Sequence, residues 1–151
     1  MLMTIVFVVT RFYMNIQTEH WNEKTKAVEA AYAKTVLTKA DKVTPFHGTS
    51  SYQIVYGQDK LGNPVIVWVG ENGEVHTERA DQNYTEQQVR NEVSKKHEGA
   101  EILRINAGKL KDEYIWEVFY SVKDNKTKRY YYDYYKFADG TFIDTYTLSL
   151  Q

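Results

Sequence analysis

The side chains that could do chemistry are few, and their spacing argues against most reactions they could perform. The four histidines are His20, His47, His76 and His97. None forms a His-x-x-x-His pair or an H-E-x-x-H run, so the helical spacing that holds zinc is missing, and only folding could bring His47 to His76. Ser50 and Ser51 follow His47, Gly48 and Thr49 in a small polar stretch that could set a hydroxyl beside an imidazole. No G-x-S-x-G elbow accompanies them, and a plain loop explains the stretch better. Glu71 and Glu74 flank Asn72-Gly73, and Asp139 and Asp144 flank a second turn. General acid/base work needs a carboxyl raised by apolar surroundings, whereas turn carboxylates stand in water. No glycine-rich phosphate loop is present. The absence of cysteine excludes disulfides, thiolate nucleophiles and Cys-ligated metals. The sequence therefore predicts no catalytic, metal-binding or cofactor-binding residue.

What stands out is aromatic. The chain holds thirteen Tyr, six Phe and three Trp, and residues 130–135 are tyrosines except for Asp133. In a strand, side chains alternate between two faces. Tyr130, Tyr132 and Tyr134 then share one face, and Tyr131, Asp133 and Tyr135 share the other. A covering helix buries one set. The remaining set is a candidate contact surface, since tyrosine is enriched where partners bind most tightly. Tyr114, Trp116 and Tyr120 on the preceding strand are expected to extend it. The candidate partner-binding residues are thus Tyr114, Trp116, Tyr130, Tyr132 and Tyr134.

Charge narrows the partner. Nineteen Lys and Arg against twenty Asp and Glu give a net charge of −1, which excludes the strong positive field of a nucleic-acid binder. Lys123, Lys126, Lys128 and Arg129 cluster locally, in what reads as a solvated hairpin turn. Asn83-Tyr84-Thr85 and Asn125-Lys126-Thr127 match the glycosylation sequon, a pattern too common to carry weight.

These residues need elements to position them. From Trp21 to about Lys39 the chain is free of breakers and rich in Ala, Lys and Glu, which predicts a helix. Trp21, Thr25, Val28, Tyr32 and Val36 mark its apolar face. Ser51–Tyr56, Pro64–Val69 and Glu74–Glu78 read as strands, the last two joined by the Asn72-Gly73 turn. Thr85-x-x-Gln88 is a capping box opening a second helix, with Lys95, Lys96, His97 and Gly99 at its end. Strands follow at Glu101–Asn106, Tyr114–Val122, Lys128–Phe137 and Phe142–Leu150. Tyr52–Tyr56 aligns with Trp116–Tyr120, and Val69–Val75 with Tyr135–Phe142. The chain therefore reads as one α+β unit used twice, with a first module at 21–80 and a second at 81–151. Each unit alone is too small for much of a core, so the two are expected to pack together and form a groove or continuous surface.

Met1–Val9 is a nearly unbroken apolar run, continued less purely through Ile16. It falls short of the twenty or so residues that span a bilayer and lacks the flanks of a cleaved signal peptide. Residues 1–20 are expected to be either the lower part of a membrane anchor leading into the helix, or a buried element of the domain.

Thr85–His97, Glu101–Asn106, Tyr114–Tyr120 and Tyr131–Ile143, echoed at Tyr52–Tyr56 and Val65–Val75, resemble PepSY-like modules of cystatin-like fold. Two of them behind an apolar start resemble the TseB/YpmB-type family of Gram-positive bacteria. That resemblance implies an extracytoplasmic protein held at the membrane by one helix and linked to cell-wall elongation, with a penicillin-binding protein (a transpeptidase) as partner. It implies no catalytic motif.

Three readings follow. The first is a membrane-anchored adaptor or regulator binding another extracytoplasmic protein. The second is a protease inhibitor or propeptide-like modulator acting through His47–Ser51 or Gln58–Asn63. The third is an enzyme using carboxylates or histidines in the inter-module groove, which would need convergent groups of perturbed pKa.

Overall fold

The computed structural model describes residues 22–149, and the apolar start (residues 1–20) and Trp21 lie outside them. Residues 22–34 are helical (α1) and precede four strands: β1 (Leu37–His47), β2 (Ser51–Asp59), β3 (Pro64–Gly70) and β4 (Val75–Arg79). A 3-10 turn at Ala80–Gln82 leads to α2 (Glu86–Lys96), then β5 (Glu101–Leu110), β6 (Glu113–Asp124), β7 (Thr127–Lys136) and β8 (Phe142–Leu148). The strands form two antiparallel four-stranded sheets, each in sequential order, β1-β2-β3-β4 and β5-β6-β7-β8. The fold class is therefore α+β, a helix and a meander used twice, as in two cystatin-like modules.

The helix starts and stops follow local chemistry. Thr85 Oγ1 accepts from Gln88 N at 3.2 Å while Gln88 Oε1 accepts from Thr85 N at 2.9 Å, a complete capping box. The first helix ends earlier than its composition predicts. Thr35 Oγ1 donates to Ala31 O at 2.6 Å and accepts from Leu37 N at 3.1 Å, and this turns the chain into β1. Ala- and Lys-rich composition cannot see β1, because it is an edge strand with only Leu37 and Phe46 buried and so shows no alternation. Pro45, which lacks a backbone donor, is tolerated on such an edge.

The predicted apolar face of α1 holds at Val28, which packs against the core, and is corrected at Tyr32 and Val36. Ala27 and Ala31 are the buried residues, packed on Val55, Val65, Val67 and Val69, whereas Tyr32 and Val36 are exposed. Small side chains let the helix lie close on a valine-covered sheet. Tyr32 instead reaches along the surface, where its hydroxyl accepts from Ala40 N at 3.0 Å.

The larger core crosses between the modules. Phe46, Tyr52, Ile54, Ile66 and Trp68 of the first sheet pack with Ile105, Ala107, Ile115, Trp116 and Phe137 of the second, under Val89 and Val93 of α2. Ile105, Asn106, Ala107 and Gly108 are all buried, so β5 is covered on both faces where β1 and β2 lie against it. Polar groups there are matched. Asn106 Oδ1 accepts from Thr44 Oγ1 (2.7 Å) and Tyr56 OH (2.6 Å), Asn106 Nδ2 donates to Pro45 O (3.2 Å), and Trp68 Nε1 donates to Gly108 O (2.9 Å).

Candidate partner-binding face

The register of the second sheet decides which aromatics share a face. Asn125-Lys126 is a two-residue turn, with Asp124 opposite Thr127, so Trp116 pairs with Tyr135, Phe119 with Tyr132 and Tyr120 with Tyr131. Directly paired residues point the same way. Even-numbered positions of β6 therefore match odd-numbered positions of β7, and the predicted set splits in two. Tyr130, Tyr132 and Tyr134 lie on one face. Tyr114 and Trp116 lie on the other, with Tyr120, Tyr131, Asp133 and Tyr135.

The face that carries Trp116 is a packed interior. Trp116 is 2% exposed and its Nε1 donates to Tyr84 O at 2.7 Å. Tyr114 stacks on His76 with ring centroids 3.9 Å apart and meets Trp68 edge-on at 5.0 Å, which ties it to the first module. The expectation that Tyr114, Trp116 and Tyr120 extend the stripe is corrected: the turn fixes a register of the opposite parity.

Asp133 is fully buried on this inner face and is met by four side chains. Tyr120 OH (2.9 Å) and Thr145 Oγ1 (2.7 Å) donate to its Oδ1, and Tyr135 OH (3.2 Å) donates to Oδ2, which His97 Nε2 also reaches at 3.3 Å. The single Tyr120 proton goes to Asp133, so the contact of His97 Nε2 with Tyr120 oxygen at 2.9 Å requires the imidazole to carry its proton on Nε2. Burial and the Asp133 charge hold the Tyr120 and Tyr135 hydroxyls well above the usual tyrosine range. The cluster ties the end of α2 to the sheet.

The opposite face is open over β7 and β8 and ordered into three rows. Glu117, Tyr134 and Asp144 form the first, Phe119, Tyr132 and Tyr146 the second, and Ser121, Tyr130 and Leu148 the third. Phe119 stacks on Tyr132 at 4.7 Å and on Tyr130 at 5.8 Å, while Tyr134 meets Tyr146 edge-on at 5.6 Å. Tyr134 OH donates to Glu117 at 3.0 Å, and Arg104 pairs with Glu117 at 3.7 Å with its guanidinium 5.7 Å from the Phe119 ring. Burial raises the Glu117 carboxyl, partly offset by the Tyr134 hydroxyl and Arg104. The tyrosines are half-buried, Tyr134 packed against the core and Tyr130 and Tyr132 stacked on Phe119. Phe119, Arg104, Glu117 and Tyr146 belong to this surface although sequence reasoning missed them; counting register outward from the Asn125-Lys126 turn is the signal that finds Phe119 and Glu117.

Of the candidate chemical residues, His47 and Ser51 meet. His47 Nδ1 and Ser51 Oγ lie 3.2 Å from each other in the exposed β1–β2 hairpin. His76 is taken up by Glu78 at 2.9 Å and by Tyr114. Asp139 is lowered by the side chain and backbone of Thr141, the reverse of what a general acid needs. Glu74 accepts from Tyr52 at 3.1 Å, with Lys109 at 3.7 Å. Among the described residues no group of His, Asp and Glu could hold a metal ion, and no helix is long and apolar enough to cross a membrane. A groove of about 410 Å³ between the modules is lined by Asp41, Tyr56, Ile66, Asp81, Glu86 and Trp116 among others.

Residues 26–70 match the cell wall elongation regulator TseB-like domain. The fold is similar to that of the YpmB protein from Bacillus subtilis, with a TM-score of 0.70 at 22% identity, over 82% of this chain and 96% of that one. No curated protein matches the chain in sequence. The resemblance drawn from the order of the elements is met in two ways: residues 26–70 are TseB-like in sequence, and the chain is YpmB-like in fold.

Proposed function

We propose that this protein is a non-catalytic, membrane-anchored extracytoplasmic regulator of cell-wall elongation, and that it engages a penicillin-binding protein. The observation that carries the reading is the match of residues 26–70 to the cell wall elongation regulator TseB-like domain. The open face of the second sheet supports a protein partner over a small molecule, because it is a broad aromatic surface with a charged rim and not an enclosed pocket. In this reading the partner rests on Tyr130, Tyr132 and Tyr134, with Phe119 and Tyr146 completing the surface, and the apolar run at the N-terminus holds the chain at the membrane.

The test is made in the native host with the full chain. Removing the protein is expected to alter cell elongation, and photo-reactive residues at 130, 132 and 134 are expected to crosslink a penicillin-binding protein from the membrane fraction. Normal elongation together with no transpeptidase crosslink would overturn the reading. Crosslinks from 131 or 135 in their place would move the contact off the open face.

A further inference from the structure

Two four-stranded meanders leave four edge strands, and three of them are protected against pairing with another chain. β1 carries Lys39, Asp41, Lys42 and Pro45, the charges and proline that blunt an edge. β4 has only five residues, three of them His76, Glu78 and Arg79. β5 is buried over Ile105–Gly108, where β1 and β2 lie against it. β8 has none of these devices. It contains no proline and no lysine, its one charge is Asp144, and Phe142 (44%), Ile143 (39%), Tyr146 (57%) and Leu148 (38%) are exposed. Among the described residues no strand pairs with its outer flank. Its one irregularity lies at the Phe142 end; Asp144–Leu148 runs in unbroken register with Tyr130–Tyr134. Half of the backbone N–H and C=O groups of that segment therefore point outward in strand geometry.

The rows of the open face state what an added strand should carry. The first row ends at Asp144 beside Tyr134 and Glu117 and is acidic, the second ends at Tyr146 and is aromatic, and the third ends at Leu148 and is apolar. A strand laid against β8 continues each row by one side chain, at every second residue. We propose that β8 accepts an extended segment of the protein partner as a fifth strand of the second sheet, with a Lys or Arg of that segment facing Asp144 and apolar side chains facing Tyr146 and Leu148. The assignment deepens the regulator reading and rests on it for the identity of the partner, the penicillin-binding protein. Main-chain pairing supplies the affinity, and the acidic, aromatic and apolar rows set register and direction.

Residue-resolved amide hydrogen exchange on the full chain, with and without the full-length penicillin-binding protein, separates the outcomes. Strand addition protects alternate amides of Asp144–Leu148, by about tenfold or more, because only every second N–H faces outward. Tyr146→Pro and Thr147→Pro sharpen the test. One of these adjacent prolines removes an N–H that bonds β7 and lowers the melting temperature. The other removes an outward N–H, and is expected to keep the melting temperature while weakening binding about tenfold or more beyond the alanine substitution at the same position. Asp144→Lys is expected to weaken binding by a similar factor, through like-charge contact. Transpeptidase binding without alternating protection in β8 would overturn this assignment and leave the regulator reading standing. Protection of β8 that rises with the concentration of the chain alone would overturn it in favour of a second copy. No transpeptidase binding at all would sink the regulator reading, and this assignment with it.

Discussion

The Tyr56 hydroxyl donates to Asn106 Oδ1 at 2.6 Å and accepts from Ala107 N at 2.8 Å. One side chain of the first module thus completes a buried amide and a backbone donor of the second. Asn106 is 4% exposed, and its other partners, Thr44 and the Pro45 carbonyl, also come from the first module. Nonpolar contact alone would let the modules slide. A buried amide bonded on three sides fixes one relative placement, because any shift leaves polar groups dry and unmatched.

Asn106→Ala should therefore cost more than an exposed asparagine would. It strands Tyr56 OH, Thr44 Oγ1 and the Pro45 carbonyl at a buried junction, and the expected loss is about 2–3 kcal/mol of unfolding free energy. Denaturant unfolding read separately by far-UV dichroism and by tryptophan fluorescence checks it. A loss below about 0.5 kcal/mol would mean that the junction holds without this amide.

Burial raises the Tyr56 hydroxyl to about 12 from its ordinary 10.0. A raised acid favours the neutral form in the folded state, so the contribution is fully present below pH 10 and is lost as pH rises towards 12. The loss is roughly 2 kcal/mol across that window. Tyr56→Phe lowers stability at neutral pH by removing the bonds, and also removes about one proton from the slope of stability against pH between 10 and 12. Equal slopes in the two proteins would contradict the burial of this hydroxyl.

Gly108 marks a close approach of the modules. A Cβ there clashes with the Phe46 ring, while the Gly108 carbonyl accepts from Trp68. Gly108→Ala is expected to cost about 1–3 kcal/mol. Adding Phe46→Leu makes room and should recover part of it, giving non-additivity of at least about 0.5 kcal/mol in a double-mutant cycle. Additive effects would place the strain elsewhere.

How far the sequence could be read depends on whether a signal is local. Thr85 and Gln88 announce α2 because the cap bonds lie within three residues. Gly73 and Gly140 announce the two matching hairpins because each adopts φ near +80°, a conformation that favours glycine. β1 is hidden because its strand state comes from pairing with β2 and not from its own pattern. The alternation of residues 130–135 correctly separates Tyr130, Tyr132 and Tyr134 from Tyr131, Asp133 and Tyr135, but alternation within one strand says nothing about its neighbour. Only the turn does. With Asp124 opposite Thr127, paired residue numbers across β6 and β7 sum to an odd number, which sets Phe119 and not Trp116 beside Tyr132. The junction at Asn106 is illegible for another reason: its partners lie 50 to 62 residues away in sequence, and no local pattern encodes them.

The two faces of the second sheet make opposite predictions for aromatic truncation. Trp116 is buried under α2 and bonded to the Tyr84 carbonyl, so Trp116→Ala opens a cavity and strands a polar group, at a cost of about 3–5 kcal/mol. Tyr132 is half-buried and stacked on Phe119 on the open face, so Tyr132→Ala loses one ring contact and some area, at about 1 kcal/mol. If the open face is the working surface, the order reverses for binding. Tyr132→Ala should weaken the penicillin-binding protein complex by about 2 kcal/mol, roughly thirtyfold in Kd, while the chain stays folded. Thermal melts paired with affinity measurements on the same preparations distinguish the two effects. A Tyr132→Ala protein that melts normally and binds normally would remove Tyr132 from the interface and leave the stack as a purely structural feature of the sheet.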